Sequence, residues 1–167
     1  MKNNLFFVTL CLFLSTAVQA QWTNNVAINT QVSDVGGVEE SVPMSATTTD
    51  GRTYISYFKA NGGAYDLYLQ LLDVQGNKLF GAGGLLVSNQ PQSSAIYRYD
   101  LKVDHENNAI VAFQDLRQGS NMSVSAYKIT PGGGFAWGVN GVNFADSLSA
   151  EGLSPSIAVN DVNEVLI

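Results

Sequence analysis

Apolar and polar positions alternate along most of this chain. At Leu67-Tyr68-Leu69-Gln70-Leu71 the leucines recur every second residue, which puts them on one face of an extended strand. Tyr54-Ile55-Ser56-Tyr57 and Ile110-Val111-Ala112-Phe113 are short runs of aromatic and aliphatic residues, bounded by polar residues and glycine, and they too predict strands. After residue 20 there is no stretch of ten residues with good helical periodicity. The pattern predicts an all-β chain.

The strand pattern repeats. Tyr54-Ile55-Ser56-Tyr57 aligns with Ile110-Val111-Ala112-Phe113 at a shift of 56, and Leu69-Gln70-Leu71-Leu72 with Ala126-Tyr127-Lys128-Ile129 at 57. Phe80-Gly81 then matches Trp137-Gly138, and Gly84 matches Gly141. A third unit opens with Ser154-Pro155-Ser156-Ile157-Ala158-Val159 and runs to Val165-Leu166-Ile167. Each unit is read as a strand ending at an Asp (Asp50, Asp104, Asp161), a second strand, a Gly-containing connection, a third strand, and an aromatic-Gly step before a last short strand. A lone four-stranded sheet cannot hide both apolar faces, whereas stacked sheets cover each other. The expected fold is therefore β-propeller-like, with tandem four-stranded blades; a β-sandwich with similar strands is the competing reading.

Unit boundaries fall near 42–98, 99–153 and 154–167, preceded by a segment at 21–41. Two blades and the start of a third cannot close a ring of about 4 to 8 blades, so an N-terminal fragment of a longer protein is expected. Trp22-Thr23-Asn24-Asn25-Val26 resembles Trp137-Gly138-Val139-Asn140-Gly141-Val142, which suits either a ring-closing strand or an unpaired leader.

Residues 1–20 break the alternation. Lys2 is followed by the apolar run Leu5 to Leu14, and Val18-Gln19-Ala20 places small residues where a signal peptidase reads them, with Gln21 next. A membrane-spanning helix needs about 20 apolar residues, so this run predicts a cleaved signal peptide and a secreted or surface location. Cys11 is the only cysteine and would leave with the signal, so no disulfide is expected to staple the core. The chain carries 8 basic and 14 acidic residues, a net charge of −6, with no basic cluster. Nucleic acid and anionic membranes are poor partners for such a surface.

Tyr65-Asp66-Leu67-Tyr68-Leu69-Gln70-Leu71-Leu72-Asp73-Val74-Gln75-Gly76 and Phe113-Gln114-Asp115-Leu116-Arg117-Gln118-Gly119 look like pieces of one blade consensus. With Trp137-Gly138 and Gly141-Val142 they resemble the repeats of large surface and secreted propeller proteins of Bacteroidetes-type bacteria. That resemblance covers residues 41 to 167 and implies export as type IX secretion cargo. The first unit departs from it, having Lys59 and Asn61 where the second has Asp115 and Arg117. Thr48-Thr49-Asp50-Gly51 also lacks the spacing of a sialidase-like Asp-box.

Residues that could carry chemistry have structural readings beside the functional ones. Asp115, Arg117 and Gly119 suit a turn in which Asp caps amides, Arg reaches back to a carboxylate or carbonyl and Gly takes a positive φ; a rim ligand site is the alternative. Asp50, Asp104 and Asp161 are read as equivalent turn positions, each accepting bonds from its own turn rather than forming a ring of acids around a cation. His105 is the only histidine and has no nucleophile beside it in sequence. Arg52, Arg98 and Arg117 equal in number the arginine triad of a sialidase but fall at different points of the unit. Phe80, Trp137, Tyr97, Tyr99 and Tyr127 suit packing between blades more than sugar stacking. Asp146-Ser147-Leu148 resembles a bacterial O-glycosylation pattern.

No catalytic, cofactor-binding or metal-binding residues are assigned on this basis, and no cofactor is expected. The expected function is non-catalytic: a blade segment acting in interaction or display, with a protein or glycan ligand and the remaining blades as partners. A glycan-active hydrolase or lyase, or a scaffold preceding a catalytic domain, is the alternative.

Overall fold

A computed structural model describes residues 29–34, 36–92, 98–119, 121–144 and 152–167. Apart from 29–30, these belong to one compact unit, Gln31–Ile167. The expected cleavage site at Ala20 and Gln21, the Trp22 segment up to residue 28, Tyr97 and Ser147 lie outside the described residues.

Every regular element among the described residues is a strand, and every pairing is antiparallel. Strands β1 (Glu40–Thr47), β2 (Thr53–Asn61), β3 (Ala64–Leu72) and β4 (Leu85–Ser88) form one four-stranded sheet in chain order. Strands β5 (Asp100–Val103), β6 (Ala109–Asp115), β7 (Ser123–Ile129) and β8 (Val142–Asn143) form a second in the same order. Strands β9 (Ala158–Val159) and β10 (Val165–Leu166) make a two-stranded ladder.

Burial explains the difference between alternating and continuous apolar patterns. All of β6 is buried. Its Ala109, Val111 and Phe113 join a core with Tyr54, Phe58, Leu67, Leu69 and Leu71 of the first sheet. Its Ile110 and Ala112 lie in a second core with Ala126 and Ile157, against Trp137, Val159 and Val165. A strand covered on both faces loses its polar alternation, so the middle sheet supplies an unbroken apolar run. In β3, Leu67, Leu69 and Leu71 all enter the first core, as their spacing of two requires. Phe58 packs edge-on against Tyr99, with ring centroids 5.0 Å apart, joining the two sheets through aromatic contact.

The repeat holds at the level of single hydrogen bonds. In the outer half of the unit, Leu79 N donates to Leu71 O and Ala136 N to Lys128 O, both at 2.8 Å and displaced by 57 residues. Gly84 and Gly141 occupy the same place, with φ of 76° and 63°. At Gly141 a Cβ would run into the carbonyl oxygen of Ala126 and come within 2.9 Å of the Tyr127 ring. At Gly84 it would meet the Tyr57 hydroxyl and the carbonyl of Leu69, the counterpart of Ala126. Close approach of two backbones, together with the positive φ, requires glycine at this step.

The inner turn corrects one alignment. Thr48 N donates to Arg52 O at 2.8 Å, Asp104 N to Asn108 O at 3.0 Å, and Asn160 N to Glu164 O at 3.1 Å. Thr48, Asp104 and Asn160 are thus the equivalent residues, each 56 after the last. Asp50 sits two positions beyond that place and Asp161 one position beyond it. The side chains there act differently: the Thr48 hydroxyl donates to Arg52 O and to Asp50 Oδ1, and the Arg52 amide donates to Asp50 Oδ1. Asp104 Oδ1 accepts from the amides of Glu106 and Asn108, and Asn160 Oδ1 from those of Val162 and Glu164. Matching by aspartate alone therefore slips the register.

Candidate functional site

With the shift of 56 fixed by the turns, Val42, Arg98 and Ser154 become equivalent, as do Met44, Asp100 and Ser156. All six line one cavity of about 530 Å³, completed by Tyr99, Lys102 and Pro155. Three repeats thus deliver the same short stretch, at or just before the first strand of each, to one place. Strand β1 adjoins β5, and β5 adjoins β9.

The backbone is strained there. Four described residues other than glycine have positive φ: Val42, Asn107, Ser154 and Asn163. Asparagine tolerates this region, but a β-branched valine at φ 51° is a steric outlier. Val42 lies in a β-bulge of β1, between Ser41 and Met44, and the Tyr99 hydroxyl, 2.6 Å from the Val42 carbonyl oxygen, donates to it. That hydroxyl lies 3.1 Å from the Ser56 carbonyl and 3.0 Å from the Ser56 hydroxyl as well. Burial pushes the Tyr99 pKa up to about 12, so the hydroxyl keeps its proton well into the alkaline range. Strain held in place by a neighbouring repeat is the sort that accompanies ligand sites.

The charges at the cavity are unevenly spent. Asp100 Oδ2 accepts from Ile157 N at 2.8 Å, Oδ1 accepts from Leu101 N at 2.9 Å, and Lys102 Nζ lies 3.3 Å from Oδ1. The carboxylate is therefore committed to holding the second and third repeats together. Arg98 has no described carboxylate within ion-pair distance, whereas each other described Lys and Arg does.

The Asp115–Gly119 turn singled out by sequence has structural employment. The Arg117 guanidinium grips both oxygens of Asp115: Nε donates to Oδ1 at 3.0 Å and to Oδ2 at 2.9 Å, and Nη2 donates to Oδ2 at 2.7 Å. Asp115 is fully buried and Arg117 nearly so. Burial alone would lower the Arg117 pKa, but the Asp115 carboxylate more than offsets it and the pKa rises. Nη1 donates to Asn140 O at 2.6 Å, and in the first sheet Lys59 Nζ donates to the counterpart carbonyl, Gly83 O, at 2.9 Å. Two different side chains from positions two apart thus tie the same outer turn. Gly119 takes φ 118° as its amide donates to Leu116 O.

Asp50 is gripped by Arg52, which holds its pKa well below the ordinary range, with Thr48 assisting. At Asp104, burial opposes ionisation, but Lys128 at 2.7 Å and Asn108 outweigh it and lower the pKa. His105 is a joint between repeats: its amide donates to Asn163 Oδ1 at 3.0 Å, and its Nε2 lies 3.1 Å from Asn160 O. Among the described residues no group of three or more His, Cys, Asp or Glu could hold a metal ion, and no helix is long and apolar enough to cross a membrane.

The cavity was hidden from sequence reading because Val, Arg and Ser share no chemistry. Only the shift of 56, carried back from the turns to residue 42, would have found it. No family model, curated protein or solved structure matches this chain.

Proposed function

We propose that this chain is a segment of an exported, non-catalytic β-propeller, part of a larger surface or secreted protein that acts in interaction or display. The observation that carries the reading is the convergence of Val42, Arg98 and Ser154, one residue per repeat, on a single cavity. Sheets stacked side by side with adjoining inner strands are the arrangement from which a ring of about 4 to 8 blades is built. The signal-like start, Lys2 through Ala20, supports export.

The non-catalytic part of the reading is supported by how the acids are used. Asp50, Asp104 and Asp115 each hold a cation and a turn. A general acid or base needs a pKa near working pH, and Asp50 and Asp104 are both shifted the other way.

The test is to express the complete gene product in its native envelope, sequence the N-terminus of the exported form and determine its structure. Cleavage between Ala20 and Gln21 and a closed ring of such sheets are the expected results. An open sandwich, or retention in the cytoplasm, would refute the reading. Turnover of any glycan in a panel, abolished by one Asp or Glu substitution, would replace it with an enzymatic one.

A further inference from the structure

We infer that the cavity shared by the three repeats is a binding site for a small ligand carrying a carboxylate, with Arg98 as the principal contact. Three independent observations lead there. Arg98 alone among the described cations has no described carboxylate within ion-pair distance, in a chain whose acids outnumber its bases. It lines a concave space of about 530 Å³, within the size range of small-molecule sites. The backbone at two of the cavity's edges, Val42 and Ser154, is held at φ 51° and 53°, where neither residue type sits without support.

The lining says what the ligand must be. A guanidinium fork pairs best with the two coplanar oxygens of a carboxylate. Lys102 stands near it with its side chain half exposed, adding a second positive charge. Asp100 would repel an anion, but its oxygens accept from the amides of Leu101 and Ile157 and it pairs with Lys102, so the local balance stays positive. Ser154 and Ser156, both exposed, offer hydroxyls that donate or accept, and Val42, Met44 and Pro155 supply an apolar wall. Hydroxyls, one apolar wall and a cationic fork together suit an acidic sugar or a short peptide ending in a free carboxylate. The site is assembled from residues of Gln31–Ile167 and does not depend on ring closure, so the two tests fail separately.

The experiment is a titration of the full chain with D-glucuronate, D-glucose and N-acetylglycine, read by chemical shifts of the cavity residues and by calorimetry. Glucuronate and glucose differ only in the carboxylate, and N-acetylglycine carries the carboxylate without the sugar. Saturable shifts at Val42, Arg98 and Ser154 are expected with at least one of the two acids and not with glucose. Which acid binds tells sugar from peptide. Arg98→Gln should weaken that binding about tenfold or more, as loss of a charge-assisted pair does. Lys102→Gln should weaken it less, and Lys78→Gln, at an ion pair with Asp34 outside the cavity, should leave it unchanged. Arg98 is exposed, so its replacement spares the fold, and a matching circular dichroism spectrum checks this. Equal binding of glucose and glucuronate, unchanged affinity in Arg98→Gln, or no saturable shift with either acid would overturn the inference.

Discussion

The amide of Thr49 donates to the side-chain oxygen of Asn107 at 2.8 Å, and fifty-six residues later the amide of His105 does the same to Asn163 at 3.0 Å. Each asparagine stands in the left-handed region, at φ 64° and 68°, at the tip of one repeat's inner turn. Its side chain reaches the turn of the repeat before it. The corresponding residue of the first repeat is Gly51, which takes φ 85° and has no side chain to extend. One residue type therefore closes its own turn and links adjacent sheets. Glycine does only the first.

Asn107 separates those two roles experimentally. Asn107→Gly keeps the turn and removes the two side-chain bonds from the Thr49 amide and hydroxyl, so it should cost about 1–2 kcal/mol, the net worth of two hydrogen bonds. Asn107→Ala should cost a further ~1–2 kcal/mol, because alanine resists positive φ. Urea midpoints of the two variants give the comparison, and equal losses would contradict the division of labour.

Gly141 and Gly81 test close approach against conformation. Both have positive φ, but a Cβ at Gly81 meets open space, while at Gly141 it meets the Ala126 carbonyl and the Tyr127 ring. Gly141→Ala should therefore destabilise more than Gly81→Ala by about 1–3 kcal/mol, the usual cost of overpacking. Thermal or urea unfolding of the two variants is the measurement, and equal losses would count against the crowding.

Asp104 sets an acid limit. Its carboxyl pKa is lowered in the folded state, where burial is outweighed by Lys128 and Asn108. A lowered pKa means the unfolded chain binds the proton more readily. The stabilisation is then complete above the unfolded value of 3.8 and disappears as pH falls through the lower folded one. Unfolding midpoints measured from pH 6 to pH 2 should fall in that window. Asp104→Asn should be less stable at pH 6 and show a shallower decline, and an unchanged slope would exclude Asp104 as its source.

The Asp115–Arg117 pair is buried, so its halves are unequal to the whole. Arg117→Met strands a fully buried carboxylate and should cost about 3–5 kcal/mol. Asp115→Leu combined with Arg117→Met removes both charges and should recover a good part of that loss. The double-mutant cycle decides it. Additive losses would mean that the two side chains act separately.

The all-β class, the succession of short strands within each unit and the approximate period of the repeat were legible in the residues themselves. Side-chain direction in a strand depends only on odd or even position, so Leu67, Leu69 and Leu71 declare their shared face without knowledge of the rest of the chain. Glycine at 84 and 141 was legible for a similar reason, since few other residues accept that backbone. The equivalence of Thr48, Asp104 and Asn160 was not, because three residue types stand at one backbone position and a misplaced aspartate imitates the match. Nor could the sequence reveal that Arg98 has no carboxylate partner among the described residues. Ion pairing is settled by which repeats lie against each other, and the three stretches that meet at the cavity each lie one full unit from the next. What is local in the chain could be read from it, whereas what arises where separate repeats touch was decided by their packing.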